Sequence, residues 1–193
     1  MHGFLHRHPA RAPRTLGVLP ALLRFARHHD HGELKAAFIR AALGGLSRET
    51  LDAWTARFVP HLLAHGMRQD ALACIERHRA QGDTLVLMSA SVDLYVPSIS
   101  QALRFAEVLC TPLRWQGDTL DGALAGRNCR GAEKARALQA LRARHPGRPV
   151  TAYGNAASDL AHLCLADRGV LVNGSRRSRS AAERLGLRCL EWR

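Results

Sequence analysis

The run Thr84-Leu85-Val86-Leu87-Met88, followed at once by Ser89-Ala90-Ser91, decides the fold of this 193-residue chain. A short, unbroken apolar run of this kind is typical of a strand buried on both faces of a parallel sheet. Ligands of such sheets bind beyond the carboxyl ends of the strands. The small residues Ser89, Ala90 and Ser91 are therefore predicted to form a strand-to-helix turn, whose backbone N–H groups and hydroxyls can approach an anion. An ordinary capping turn that binds no ligand is the alternative.

Strands and helices alternate after this run, which indicates an α/β fold with a doubly wound, mainly parallel sheet. The predicted elements are a helix over 94–105, a strand over 107–110, a hairpin over 113–124, a helix over 132–144, a strand over 150–153, a helix over 158–165, a strand over 169–172, a helix over 179–185 and a strand near 188–192. Amphipathic spacing before the run predicts four helices, with Ser47 capping the third and Asp70 the fourth. We expect a helical cap over residues 1–75 and an α/β core over residues 76–193.

Polar side chains with a defined chemistry lie at two further points of the predicted core. Lys134 begins a helix, and a lysine is a point charge suited to neutralising a phosphate or a carboxylate. A lone lysine on a helix is usually solvated, but only two of the 28 lysine and arginine residues are lysines, and this scarcity raises the case for a functional role here. The loop Tyr153–Asp159 follows a strand and has side-chain oxygens at Asn155 and Asp159, a spacing that suits Mg²⁺. The alternative for Asp159 is a carboxylate that only stabilises the first turn of its helix.

The order and spacing of three segments resemble motifs two, three and four of the haloacid dehalogenase superfamily. These segments are Met88–Ser91, Gly131–Lys134 and Tyr153–Asp159. The chain is most similar to the phosphoserine-phosphatase-like branch, in which a helical cap is inserted after the first strand. Residues 1–75 would be that cap, so the resemblance covers nearly the whole chain.

This resemblance implies a Mg²⁺-dependent phosphomonoester hydrolase, in which an aspartate of an Asp-x-Asp loop attacks phosphorus and forms an aspartyl-phosphate. Ser89, with Ala90 and Ser91, would bind the phosphate. Lys134 would neutralise it as a catalytic residue, and Asn155 and Asp159 would help to hold the metal. The implied partner is a small phosphorylated substrate, phosphoserine first, although the predicted cap leaves a phospholipid-derived or sugar phosphate open.

Two features depart from the family pattern. No Asp-x-Asp occurs before residue 80, so the chain as given is expected to lack the nucleophile and to form no aspartyl-phosphate. Asn155 stands where the family has a metal-binding acid, and a neutral amide should hold Mg²⁺ more weakly. The family's first strand is central, and its loss would leave a gap of roughly 10 Å with unpaired backbone groups on both sides. We therefore expect Met1 to be an internal methionine of a longer protein.

Other classes of protein stay open beside the enzyme. A catalytically inactive remnant that binds phosphate or a partner is the main alternative. The net charge of +12 suggests nucleic-acid binding, but the arginines are spread over the chain and aromatic residues make up only 5%. Two histidine groups invite a transition metal but lack a completing cysteine or acid, so we expect surface histidines. These groups are His2, His6 and His8, and His28, His29 and His31.

The composition bears on the cellular location of the protein and on the redox state of its cysteines. No apolar run approaches 18 residues, so the sequence predicts no spanning helix and no membrane partner. Basic residues scattered through the first 14 positions do not resemble a signal peptide, and we expect a cytoplasmic protein. The five cysteines are widely spaced, which predicts reduced and mostly buried thiols. The oligomeric state stays open.

Overall fold

Four helices open the part of the chain that the computed structural model describes, residues 17–193. They are α1 (Leu19–His28), α2 (His31–Leu43), α3 (Arg48–His65) and α4 (Gln69–Ala80). The amphipathic spacing predicted all four. α2 begins where the carboxylate of Asp30 accepts hydrogen bonds from the N–H groups of Gly32 and Glu33.

The cap of α3 confirms one prediction, and that of α4 corrects another. The hydroxyl of Ser47 accepts a hydrogen bond from the N–H of Thr50 at 3.2 Å, as expected of an N-cap. The prediction for Asp70 is wrong, because this residue lies inside the first turn of α4. Its carboxylate accepts a hydrogen bond from the backbone N–H of Arg193 at 2.7 Å, so it anchors the end of the chain.

The second half alternates strands and helices, which confirms the predicted α/β class. Its elements are β1 (Val86–Val92), α5 (Val96–Ala102), β2 (Glu107–Thr111), β3 (Leu113–Gln116), β4 (Thr119–Leu124), α6 (Ala132–Arg144), β5 (Thr151–Gly154), a 3₁₀ turn (Ala157–Asp159), α7 (Leu160–Leu163), β6 (Arg168–Val172), α8 (Arg176–Arg184) and β7 (Arg188–Leu190). The predicted bounds of β1 are wrong, since it begins at Val86 and continues to Val92. Ladder bonds continue beyond it, where the N–H of Asp93 donates to the carbonyl of Thr111.

Strands β5, β6 and β7 form a parallel sheet in that order, with Tyr153 opposite Val170 and Val170 opposite Arg188. This confirms the parallel sheet type. β1 and β2 form a second sheet, and β3 and β4 form the predicted antiparallel hairpin. Among residues 17–193, no strand joins the β1–β2 pair to the β5–β6–β7 sheet.

The chain divides into two compact units. The first unit contains residues 17–65, 90–104 and 110–128, and the second unit contains residues 66–89, 105–109 and 129–193. The core of the first unit is built by nine buried residues: Ile39, Ala42, Leu43, Leu51, Trp54, Val92, Leu94, Leu113 and Leu120. Leu163, Leu171 and Ala182 form a core cluster in the second unit. The predicted division into a cap and a core at residue 75 stays a prediction.

The structure also tests the predictions of buried, reduced cysteines and of surface histidines. None of the five cysteines forms a disulfide, as predicted for reduced thiols, but only Cys74 and Cys129 are buried, so the expectation that most are buried is wrong. Cys164 is exposed because it follows the last turn of α7 at the surface. The histidines of the second predicted group are exposed: His28, His29 and His31. Those of the first group, His2, His6 and His8, lie outside the described residues.

None of the helices within residues 17–193 is long and apolar enough to cross a bilayer. The predicted cytoplasmic location stays a prediction.

Candidate functional site

The loop after β5 is closed by a carboxylate that binds the loop's own backbone. Asp159 ends the 3₁₀ turn and is 4% exposed. Its Oδ2 accepts hydrogen bonds from the N–H of Asn155 at 3.0 Å and of Ala156 at 3.1 Å. The sequence Gly154–Asp159 therefore folds into a turn whose shape depends on this one side chain.

The ammonium of Lys134 binds the other oxygen of the same carboxylate. Lys134 lies in the first turn of α6, and its Nζ donates to Oδ1 of Asp159 at 2.8 Å. Burial raises the pKa of Asp159, but Lys134 and the two backbone N–H groups outweigh this and hold the pKa below its usual range. The carboxylate is therefore ionised, and it fixes an ammonium at the loop that follows β5.

Gly154 is the residue that lets this carboxylate approach the end of β5. A Cβ added at Gly154 would lie 2.6 Å from Cβ and 3.0 Å from Cγ of Asp159. Such distances are too short for carbon atoms, so any larger residue would displace the acid from the loop. The sequence predicted the glycine turn but not this reason for it.

His162 is a buried imidazole next to the ion pair. It lies in α7, is 3% exposed, and its Nδ1 has no hydrogen-bond partner among the described residues. That nitrogen lies 4.0 Å from Oδ1 of Asp159. Burial, followed by the positive charge of Lys134, lowers the pKa of His162, so the ring is held neutral. Sequence reasoning missed this residue, although its position three residues after Asp159 places it on the same side of a helical turn.

A hydrogen-bonded chain supports β5 from α4. Nδ1 of His78 lies 2.6 Å from Oδ2 of Asp83, and Nε2 of His78 lies 2.8 Å from the hydroxyl of Tyr153. Tyr153 precedes Gly154, so this chain holds the strand residue next to the loop. Burial, together with a hydrogen bond to Cys74, raises the pKa of the Tyr153 hydroxyl, which keeps it protonated. No periodic pattern in the sequence indicates this pairing, because its members are far apart along the chain.

The predicted phosphate-binding residues lie in a strand and not in the predicted turn. Ser89, Ala90 and Ser91 lie in β1, so the prediction of a turn at these residues is wrong. Alternation along a strand puts the side chains of Ser89 and Ser91 on one face and that of Ala90 on the other. The carbonyl of Ala90 accepts a hydrogen bond from the hydroxyl of Thr111 at 2.9 Å. Their predicted role in binding phosphate is not tested by this geometry and stays a prediction.

The predicted metal ligands do not by themselves make a Mg²⁺ site. Asn155 is exposed and supplies a neutral amide, while Asp159 already binds three hydrogen-bond donors. Mg²⁺ prefers an octahedral set of oxygen atoms that includes unengaged carboxylates and water. Within residues 17–193, no group of three His, Cys, Asp or Glu side chains is arranged to hold a metal. The described residues therefore fit this ion poorly.

A second lysine cluster lies in the first unit. Lys35 of α2 donates to the carbonyl oxygen of Ala90 and to Oδ1 of Asn128. Sequence reasoning missed it, although the scarcity of lysine that singled out Lys134 applies equally to Lys35.

Comparison with known proteins gives the family. The model of the haloacid dehalogenase-like hydrolases matches residues 1–163. Protein CicA of Caulobacter vibrioides is 33% identical over 158 residues, which cover 79% of this chain and 69% of CicA.

Three solved structures share the fold. A protein of unknown function from Bordetella pertussis Tohama I has a TM-score of 0.76 at 18% identity, covering 88% of this chain and 78% of that one. A probable phosphoserine phosphatase of Vibrio cholerae has a TM-score of 0.69 at 15% identity, covering 85% and 49%. A substrate-bound phosphoserine phosphatase has a TM-score of 0.63 at 16% identity, covering 93% and 83%. At these identities the likeness to the solved structures shows the fold alone. The family is shown by the match of the family model to residues 1–163: this chain belongs to the haloacid dehalogenase-like hydrolases.

Proposed function

We propose that this chain carries the phosphate-binding part and the helical cap of a phosphatase for a small phosphate monoester resembling phosphoserine. The observation that carries the proposal is the ammonium of Lys134, held at the loop after β5 by the buried carboxylate of Asp159. A fixed ammonium neutralises the charge that develops on a phosphoryl group, and phosphoryl transfer depends mainly on positioning and such neutralisation. Ser89 would add a hydroxyl donor to the same phosphate.

The reaction of the family needs a carboxylate nucleophile, and the acids before residue 80 are poor substitutes. Asp30 caps α2 through two backbone N–H groups, and Asp52 is exposed on α3. We therefore propose that residues 1–193 alone bind the phosphate ester without forming an aspartyl-phosphate.

The expectation that Mg²⁺ takes part comes from the family resemblance alone. Asn155 would offer its amide oxygen, and the metal would neutralise phosphate charge if further oxygen ligands were supplied. The described residues fit the ion poorly.

Calorimetric titration with phosphoserine tests the binding function. We expect Lys134→Met to weaken binding at least about tenfold, because a charge-assisted hydrogen bond contributes roughly 1.5–3 kcal/mol. Arg136→Met removes a positive charge from the exposed face of the same helix and serves as the control. Equal affinities in the parent chain and in Lys134→Met would overturn the proposal.

A release assay for inorganic phosphate, run with Mg²⁺, tests the predicted lack of turnover. We expect no release above that of Lys134→Met. Steady turnover that depends on Lys134 would show that the chain carries a nucleophile after all.

A second candidate is an inactive protein that binds phosphate or a partner. It is favoured by the absence of Asp-x-Asp before residue 80 and by the full hydrogen bonding of Asp159. The intact mass of the protein isolated from its native cell separates the candidates. A mass above 21.2 kDa with additional N-terminal residues supports the phosphatase, and a mass of 21.2 kDa supports the binding protein.

A further inference from the structure

Helix α1 has two apolar stripes, and only one of them packs against the rest of the first unit. Val18, the N-cap residue, and Ala21 are buried, and Phe25 is half-buried. These three residues follow each other by three and four positions, as on one face of a helix. A surface helix of a globular protein needs a single stripe of this kind. The second apolar stripe of α1 therefore has no role in the core.

The second stripe faces solvent. Leu19, Leu22 and Leu23 are 61%, 41% and 68% exposed, and Ala26 continues the stripe at the surface. Their spacing of three, four and seven positions from Leu19 places all four on one side of α1. Within residues 17–193, three of the five exposed large hydrophobic side chains belong to this stripe. Single exposed leucines are common, but a contiguous apolar patch marks a surface that contacts another apolar phase or partner.

The surroundings of the stripe are basic. Arg24 and Arg27 are exposed on α1, which contains no acidic residue. Arg24 pairs with Glu33 of α2 at 2.8 Å, but both side chains are accessible to water, and such a pair can exchange partners at little cost. The 29 positions before Asp30 contain five arginines and no acid, so they carry five of the twelve net positive charges. A ligand of this stripe should therefore be both apolar and negatively charged.

An anionic lipid surface meets both requirements. A helix that lies in the plane of a bilayer surface buries its apolar stripe among the acyl chains, while arginines at its edge contact lipid phosphates. A nucleic acid is acidic, but it binds through phosphate contacts and base stacking and would leave the leucines in water. A second copy of the chain would cover the leucines, but it would bring two segments of like charge together.

The length of α1 suits contact with one face of a bilayer. Its ten residues extend over about 15 Å, whereas the hydrocarbon core of a bilayer is about 30 Å thick. The sequence-based expectation of no membrane partner came from the lack of a long apolar run. An interfacial helix requires no such run, because it does not cross the membrane.

We propose that the exposed stripe of α1, formed by Leu19, Leu22, Leu23 and Ala26, binds the surface of an anionic lipid bilayer with the help of the arginines beside it. The contact is reversible, because a ten-residue helix buries little apolar area. This inference goes beyond the proposed function, since it holds whether or not the site at Lys134 binds a phosphate ester.

Co-sedimentation of the full chain with vesicles tests the role of the leucines. We expect binding to phosphatidylcholine vesicles that contain about 30 mol% phosphatidylglycerol, and at least about tenfold weaker binding to phosphatidylcholine alone. Leu19→Gln/Leu23→Gln keeps good helix formers and should weaken binding to the anionic vesicles at least about tenfold. Leu185→Gln, at a leucine outside α1 that is 55% exposed, should change the affinity less than about twofold. Equal binding of the parent chain and the double variant, or no binding of the parent chain, would overturn the proposal.

A second pair of variants tests the role of the charge. Arg27→Gln should weaken binding to the anionic vesicles about fivefold, because the arginine lies beside the stripe. Arg57→Gln removes an exposed positive charge from α3 and should have little effect. Equal losses in the two variants would mean that binding follows net charge alone, which contradicts a site on α1.

Hydrogen exchange of the parent chain covers the case in which the double leucine variant does not fold. With the anionic vesicles, the amides of residues 19–28 should exchange more slowly. Those of α8, a helix rich in arginine but without leucine, should be unchanged. Vesicle binding without slower exchange over residues 19–28 would refute the site.

Two further outcomes would replace the lipid by another partner. Binding of duplex DNA that survives Leu19→Gln/Leu23→Gln, without any vesicle binding, would assign the positive charge to a nucleic acid. A dimer that the same double variant dissociates, again without vesicle binding, would assign the stripe to a second copy of the chain. Analytical ultracentrifugation of the parent chain and the double variant measures this second outcome.

Discussion

Nζ of Lys134 lies 2.8 Å from Oδ1 of Asp159, and the two side chains are only 12% and 6% exposed. The other oxygen of this carboxylate binds the N–H groups of Asn155 and Ala156. One acid therefore shapes the loop after β5 and also fixes the ammonium beside it. Because the two tasks share a side chain, changes at either residue should affect both the stability of the second unit and its affinity for phosphate.

Lys134→Met should lower the free energy of unfolding by about 3–5 kcal/mol, because it leaves a buried carboxylate without its counter-charge. The double variant Lys134→Met/Asp159→Asn should recover part of this loss, since the remaining amide carries no charge. Urea denaturation of the parent chain, both single variants and the double variant measures the coupling. A loss below about 1 kcal/mol in Lys134→Met would match an exposed pair and contradict the burial described for this one.

Gly154→Ala should displace Asp159 from the loop, because the new Cβ would lie 2.6 Å from its Cβ. We expect a loss of about 1–3 kcal/mol in the free energy of unfolding, together with weaker binding of phosphoserine. Gly17→Ala is the control, since a Cβ there meets no atom within 4 Å. Retention of full phosphoserine affinity in Gly154→Ala would show that ligand binding does not depend on the position of Asp159.

His162→Leu should be at least as stable as the parent chain at pH 7.5, because it removes a buried nitrogen that has no hydrogen-bond partner within residues 17–193, a defect of about 1–3 kcal/mol. The pKa of His162 is lowered in the folded protein. Below about pH 6.5 the unfolded chain therefore binds a proton here that the folded chain does not, and stability falls as the pH falls. The leucine variant lacks this proton, so its advantage should grow between pH 7.5 and 5.5. An advantage that is constant over this range would contradict the lowered pKa.

Asp167→Asn should remove a stabilising contribution that the parent chain loses at acid pH. A hydrogen bond from Arg142, followed by one from the N–H of Val150, lowers the pKa of Asp167 to about 2. A lowered acid pKa stabilises the fold above the unfolded value of about 3.9 and is lost as the pH falls through the folded value. The difference between the parent chain and Asp167→Asn should therefore be constant above pH 5 and shrink between pH 4 and 2. A difference that stays constant down to pH 2 in acid denaturation would contradict the lowered pKa of Asp167.

Asn155→Asp should strengthen Mg²⁺ binding, because it replaces an exposed neutral amide by a carboxylate at the loop after β5. We expect Mg²⁺ to raise the melting temperature of the variant and to leave that of the parent chain nearly unchanged. Asp118→Asn tests the surface charge in the opposite direction and should not alter either response. A parent chain that Mg²⁺ stabilises as strongly as the variant would contradict the poor fit of Asn155 and Asp159.

Most helices and strands were predictable because their signals are local. The helix predicted over 132–144 has the same bounds in α6, Ala132–Arg144, and the hairpin of β3 and β4 was predicted from its Gln116-Gly117-Asp118 turn. The end of β1 was not predictable in this way. Its extension through Ser89 to Val92 depends on pairing with β2, which begins fifteen residues later at Glu107.

The same distinction between local patterns and distant contacts applies to the residues of the candidate site. The motif spacing singled out Lys134 and Asp159, and the structure joins them although they are 25 residues apart. Lys35 and Asn128 are 93 residues apart and belong to no recognisable pattern, so their contact could not be predicted. The same holds for His78 and Tyr153, which are 75 residues apart.

The sequence by itself determined the α/β class, the family resemblance and the residue types at the strand ends, because periodicity and motif spacing are properties of neighbouring residues. Only the tertiary structure decided that one carboxylate oxygen of Asp159 binds the loop and the other binds Lys134, and that His162 is buried beside them. It also decided that Lys35 donates a hydrogen bond to the carbonyl of Ala90. The physical reason is that hydrogen-bond partners and burial depend on which distant segments pack together, and a local pattern contains no record of that packing.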